Sequence, residues 1–254
     1  MTPRSIDPSE RVLVALDVST LADAAAMLDR LHGILSGCKI GNQLFTAAGP
    51  AAIEAARKRG YRVFLDLKFH DIPNTVAGAV REATRLGVFM LNVHASGGSA
   101  MLRAAAEAAT GAAKEFGVPR PLCLGVTVLT SLDRRALEAE LGVSSTVPAQ
   151  VLHLARLCRQ AGLDGCVASP REIGLLRRNL GSGWVIVTPG IRGGPAANVT
   201  SALDRGRSDD QVRTATAAVA IRAGADYLVV GRPITSAPDP AAAAQALLAT
   251  CAPA

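Results

Sequence analysis

Aromatic side chains are scarce in this sequence: one Trp, two Tyr and five Phe make up 3% of its 254 residues. So few rings offer no stacking platform for a single-stranded nucleic acid. Lys and Arg outnumber Asp and Glu 27 to 21, yet they are scattered, with no run longer than Arg57-Lys58-Arg59. Nucleic acid is therefore not expected as a partner, and the net charge of +6 suits a small anionic ligand. No apolar run approaches the roughly 18 residues that a membrane span needs. The opening MTPRSIDPSERVL lacks a basic stretch followed by an apolar one, so neither a secretory leader nor a membrane partner is expected, and the expected location is cytoplasmic. The five cysteines, Cys38, Cys123, Cys158, Cys166 and Cys251, are odd in number, form no CxxC pair and mostly sit in apolar runs. They read as reduced core residues rather than metal ligands.

Glycine-rich phosphate signatures are missing as well. The first turn after a strand candidate reads ALDVSTLADA, without the glycines of a dinucleotide-binding fingerprint, and no P-loop occurs. A doubly wound nucleotide-binding sheet is thereby disfavoured.

What the chain does have is a repeat of short β-branched runs, each followed by an Ala-rich stretch of helical character. The runs are RVLVALD, CKIG, YRVFLDLK, VFMLNVH, PLCLGVTVL, DGCVAS, WVIVTPGI and DYLVVGR. Between them, apolar residues fall at helical spacing, as at Val147, Val151, Leu154 and Cys158, with Thr146 and Pro148 as a start signal. Eight strand-helix units in a chain of this length predict α/β class, a single (β/α)8 barrel over 1–254. Residues 1–10 are expected to be a short N-terminal extension. The Gly-, Ser-, Asp- and Arg-rich stretch 193–210 is expected to be a mobile loop.

In such a barrel the C-terminal ends of the strands share one face, where side chains from different strands reach a common ligand. Here those ends carry Asp17, Lys39, Asp66 with Lys68, His94, Thr130, Arg192, and Gly231 with Arg232. In an extended strand Asp66 and Lys68 project to the same side. They read either as a structural ion pair or as catalytic groups. Asp17 reads as a helix cap or a site residue. Asp71, ahead of Pro73, reads as a helix start, compatible with a second role at the site. Alternating charges on Lys39, Asp66, Lys68 and Asp71 are expected to keep one another ionised. His94 reads as a hydrogen-bonded structural residue rather than a base. The loops after the seventh and eighth strands, with Arg192, Gly231 and Arg232, predict a phosphate site.

Taken in order, ALD at 15–17, KIG at 39–41, DLKFHDIPNT at 66–75, NVHA at 92–95, LTS at 129–131, TPGIR at 188–192, DQVR at 210–213 and VVGR at 229–232 resemble one family. That family is orotidine 5'-monophosphate decarboxylase, a cofactor-free homodimeric barrel of pyrimidine synthesis. The resemblance implies Lys68 as proton donor to C6 of the pyrimidine and Asp66 as the carboxylate beside the departing CO2. Lys39 and Asp17 are implied at the ribose hydroxyls, Thr130 at the pyrimidine edge, Gln211 between base and phosphate, and Arg192, Gly231 and Arg232 at the phosphate. It implies Asp71 and Thr75 as residues lent across a homodimer interface, a nucleotide substrate, no metal and no cofactor, and a 193–210 loop that closes over the phosphate. Two other readings stand beside it. One is the related magnesium-dependent group acting on sugar phosphates, which places a glutamate where Lys39 stands. The other is a non-catalytic nucleotide-binding barrel.

Overall fold

The computed structural model describes residues 6–192 and 214–251. Its strands are β1 (Val12–Ala15), β2 (Gly37–Gly41), β3 (Arg62–Phe69), β4 (Met90–His94), β5 (Leu122–Val126), β6 (Gly165–Val167), β7 (Val185–Thr188) and β8 (Tyr227–Val230). They pair in parallel and in chain order, and β8 returns to β1, so the sheet is closed. Helices fill the connections, and the architecture is the expected (β/α)8 barrel. Each expected run holds a strand, its ends differing by a few residues. The expected loop at 193–210 and Gln211 lie outside the described residues. Within the expected N-terminal extension, Pro8–Arg11 forms a single helical turn capped by Asp7.

Strand alternation sorts the apolar residues into two sets. Leu13, Ala15, Phe64, Met90, Leu124, Val185, Val187, Tyr227 and Val229 pack inside the barrel. Their neighbours along the chain, such as Val12, Val14, Val63, Leu65, Leu91 and Val93, pack outward with residues from the helices. The helix Val147–Gln160 starts as its sequence predicts, with Thr146 accepting from the Ala149 N–H and Val147, Val151, Leu154 and Cys158 buried. All five cysteines are buried free thiols; burial pushes Cys38, Cys123 and Cys166 up to about 12. Among the described residues no helix is long and apolar enough to cross a membrane.

At the N-terminal ends of the strands, one device occurs twice. Asp164 donates its backbone N–H to the Cys123 carbonyl at 3.0 Å, and its carboxylate accepts from the Cys123 N–H at 2.8 Å. Asp226 grips Ile186 in the same way, at 3.0 and 2.7 Å. An arginine completes each clamp: Arg120 on Asp164 at 2.8 Å, and Arg177 on Asp226. Arg177 also donates to the carbonyls of Gly224, Gly181 and Trp184. The matching segments read AGLD and AGAD, each just ahead of a strand.

Candidate active site

The inward positions of β2, β3 and β4 lose their apolar character toward the C-terminal end, at Lys39, Asp66 and Asn92. Lys39 Nζ lies 3.0 Å from Asp17 Oδ1 and 3.4 Å from Asp66 Oδ2. Asp66 Oδ1 in turn lies 2.8 Å from Lys68 Nζ. Four charges of alternating sign thus run along one wall: Asp17, Lys39, Asp66, Lys68. Gly41 makes room for the run, because a Cβ there would sit 2.9 Å from the Lys39 ammonium. The Lys39 side chain is 10% exposed and that of Asp66 13%, so each ion is largely withdrawn from water and depends on its neighbours.

Asp66 and Lys68 meet as expected, though not by strand alternation. Leu65 pairs with Leu91 and Phe69 with Val93, so β3 advances four residues while β4 advances two. Within this bulge Lys68 has φ 53°, and it is the single non-glycine with positive φ among the described residues. A left-handed backbone at such a residue costs about 1–3 kcal/mol and is held only by its surroundings. The sequence reading took the strand as regular. It missed the bulge because nothing in DLK, without a glycine, signals a left-handed residue.

Asp71 is the second departure. In the single chain it does not join the charge run; its carboxylate accepts from the Ile72 N–H at 2.6 Å on an exposed turn. Ile72 itself is the N-cap of the helix Pro73–Arg85, so Asp71 stands one residue ahead of the helix start. Thr75 is exposed in the first turn of that helix. Asp17 is not a helix cap, since Thr20 caps the helix Leu21–Arg30, and the Asp17 carboxylate goes to Lys39 instead.

His94 packs its ring on His70, 5.2 Å between centroids, and among the described residues its ring makes no hydrogen bond of the kind expected. Burial holds its pKa below the ordinary value of 6.5, and the neighbouring His70 and Lys68 lower it further against the pull of Asp66.

The charge run borders a cavity of about 300 Å³ at the C-terminal mouth of the barrel. Asp17, Lys39, Asp66 and Lys68 line one side, and Val126, Val128, Val167, Ala168 and Pro189 the other. Thr130, Arg192, Gly231 and Arg232 also line it. Ile191 and Ala215 form a β-bridge, and the Arg192 N–H donates to the Ala215 carbonyl at 2.9 Å, which fixes the position of Arg192 at the rim. An enclosed apolar wall facing a charged one suits a flat, partly polar ring, while two guanidinium groups near one end suit an anion.

Comparison with known proteins agrees with this geometry. The family model for "Orotidine 5'-phosphate decarboxylase / HUMPS family" matches residues 10–247. The chain belongs to this family. Orotidine 5'-phosphate decarboxylase from Moorella thermoacetica is 55% identical over 240 residues, covering 94% of this chain and 91% of the relative. That from Geobacter metallireducens is 50% identical, covering 94% and 95%. The crystal structure of the Lactobacillus acidophilus decarboxylase superposes with a TM-score of 0.79 at 35% identity, covering 95% of this chain and 99% of that one. Membership of the orotidine 5'-phosphate decarboxylase family makes the protein an enzyme, a carbon–carbon lyase.

Of the expected site residues, the structure brings Asp17, Lys39, Asp66, Lys68, Thr130, Arg192, Gly231 and Arg232 to one cavity, and leaves Asp71 and Thr75 outside it within one chain. Sequence reasoning missed the apolar wall, although Val126 and Val167 occupy inward positions that alternation along β5 and β6 points to. It also passed over Asn92, a fully buried amide at an inward position of β4.

Proposed function

We propose that this protein decarboxylates orotidine 5'-monophosphate to uridine 5'-monophosphate in pyrimidine biosynthesis, without metal or cofactor. The observation that carries the reading is the unbroken run Asp17–Lys39–Asp66–Lys68 along a cavity whose far wall is apolar and whose rim holds Arg192 and Arg232.

The pyrimidine lies between the apolar wall and Lys68, with Thr130 at its edge. Asp17 and Lys39 take the ribose hydroxyls. Arg192, Gly231 and Arg232 take the phosphate. The C6–carboxylate bond breaks, CO2 leaves, and the electron pair stays on C6, where no adjacent carbonyl delocalises it. Fixed charge must therefore lower the barrier. An ammonium about 4 Å away contributes roughly 4 kcal/mol at an effective dielectric near 20. Lys68 then gives its proton to C6 and regains one from water. Phosphate contacts remote from C6 add binding energy that can be used to lower the barrier at the reacting carbon.

Two copies complete the site, each lending Asp71 and Thr75 to its partner. Their exposure in the single chain supports this, as does Ile72 between them, an apolar side chain 68% exposed.

The magnesium-dependent branch of the family is the competing reading. Lys39 speaks against it, because an ammonium already sits between the carboxylates of Asp17 and Asp66, where a cation would need their charge. Purified protein in EDTA, supplied with orotidine 5'-monophosphate and followed by ultraviolet absorbance, is expected to form uridine 5'-monophosphate. Folded dimer that shows no turnover overturns the proposal.

A further inference from the structure

Lys68 owes its position to more than its ion pair. Its backbone N–H, turned out of the β3–β4 ladder by the bulge, donates to Asn92 Oδ1 at 2.8 Å. The other end of the same amide, Asn92 Nδ2, donates to Asp66 Oδ1 at 2.7 Å. That oxygen also takes the Lys68 ammonium at 2.8 Å. A closed ring results, running from the Lys68 backbone through the Asn92 amide and the Asp66 carboxylate back to the Lys68 side chain.

The orientation of the amide is fixed by chemistry. A backbone N–H only donates and an ionised carboxylate only accepts, so Oδ1 must face Lys68 and Nδ2 must face Asp66. Asn92 is 0% exposed, one inward position above Met90, and it is not among the residues that line the cavity. An amide buried there is tolerated only because both its ends are bonded. Both bonds go to Lys68 and Asp66, the two residues assigned above to the reacting carbon.

We propose that Asn92 is the positioning residue of this site: it holds Lys68 in its left-handed backbone and fixes the carboxylate of Asp66, so that ammonium and carboxylate keep the spacing the chemistry needs. The assignment rests on the roles given above to Lys68 and Asp66, and it concerns the rate of the chemical step rather than substrate capture.

Asn92→Leu and Asn92→Asp test it. Asn92→Leu keeps the shape but removes both bonds. A catalytic group displaced by about 1 Å loses on the order of 10²-fold in rate, so kcat should fall by that factor while KM and uridine 5'-monophosphate binding, measured by calorimetry, move far less. In Asn92→Asp the new side chain reproduces both bonds only when protonated, and its proximity to Asp66 raises its pKa. The activity of Asn92→Asp relative to wild type should therefore rise as pH is lowered, a titration that wild type does not show. A role confined to stability would not create that profile.

An independent readout is hydrogen exchange at the Lys68 amide. It should be slow in wild type and fast in Asn92→Leu, with the flanking Leu65 and Leu91 amides unchanged. Retention of wild-type kcat in Asn92→Leu overturns the inference, as does unchanged exchange at Lys68. If Asn92→Leu does not fold, the absence of pH-dependent recovery in Asn92→Asp overturns it. Should wild type itself fail to turn over orotidine 5'-monophosphate, the decarboxylase reading falls, and the Lys68 amide still decides whether Asn92 positions it.

Discussion

The two ends of this barrel use the same residue types for opposite purposes. At the N-terminal ends of the strands, Asp164 and Asp226 spend their carboxylates on an arginine and on the backbone N–H of a neighbouring strand, at Cys123 and Ile186. At the C-terminal ends, Asp66 pairs with Lys39 and Lys68 beside an open cavity. The difference shows what separates a structural charge from an available one. A carboxylate that receives backbone N–H groups of its own sheet fixes strands together. A carboxylate surrounded by side-chain charges at the edge of a cavity retains a face for a ligand. Asn92 stands between the two cases: its bonds are of the structural kind, yet they go to Lys68 and Asp66 beside the cavity.

Substitutions at the two ends should separate activity from stability. Lys68→Ala is expected to lose at least about 10³-fold in kcat, the scale of removing a fixed electrostatic group together with the proton donor, while thermal unfolding stays close to wild type. Substantial residual turnover would remove Lys68 from its assigned role. Mixing Lys68→Ala with Asp71→Ala chains should restore part of the activity, through one intact site in each hybrid dimer; continued inactivity after subunit exchange is shown would break the cross-subunit assignment.

Asp226→Ala should do the reverse. It strands Arg177 and the Ile186 N–H in a largely buried place, and losing one partner of such a pair costs about 3 kcal/mol or more. Denaturant unfolding should report that loss, with KM for the nucleotide unchanged; a shift in KM without loss of stability would erase the contrast between the ends.

Arg232→Ala is expected to raise KM about tenfold, the range of one charge-assisted hydrogen bond. It should leave turnover of orotidine, which lacks the phosphate, unaffected. An equal loss with both substrates would move Arg232 away from the phosphate.

The smallest effect concerns His94. Its pKa is lowered by burial, so the folded state favours the neutral ring. Its contribution to stability is fully present above the unfolded value of about 6.5 and is lost as pH falls through the lower folded value. His94→Gln should therefore flatten the acid side of the stability profile, measured by denaturant titrations at several pH values below neutrality. An unchanged slope would show that His94 titrates alike in both states.

Much of this molecule was legible in its sequence. Eight β-branched runs spaced by Ala-rich helical segments pointed to the barrel, because strand and helix periods differ and eight such units in a chain of this length, without a dinucleotide-binding glycine turn, match a closed parallel sheet. Charged residues at the ends of those runs marked the cavity, because unpaired charges are excluded from a packed interior. The apolar wall at Val126 and Val167 escaped notice because valine at a strand end looks the same whether it lines a core or a ligand site.

By itself the sequence determined which residues face inward and at which end of each strand the polar ones gather, since alternation and solvation act locally. Only the tertiary structure decided how those residues meet. The bulge in β3, the left-handed backbone of Lys68 and the Asn92 ring depend on β4 lying beside β3, a pairing across more than twenty residues that no local propensity encodes. It also decided that Asp71, near Lys68 in sequence, stands apart from it in the single chain, because the turn that starts the next helix carries it outward.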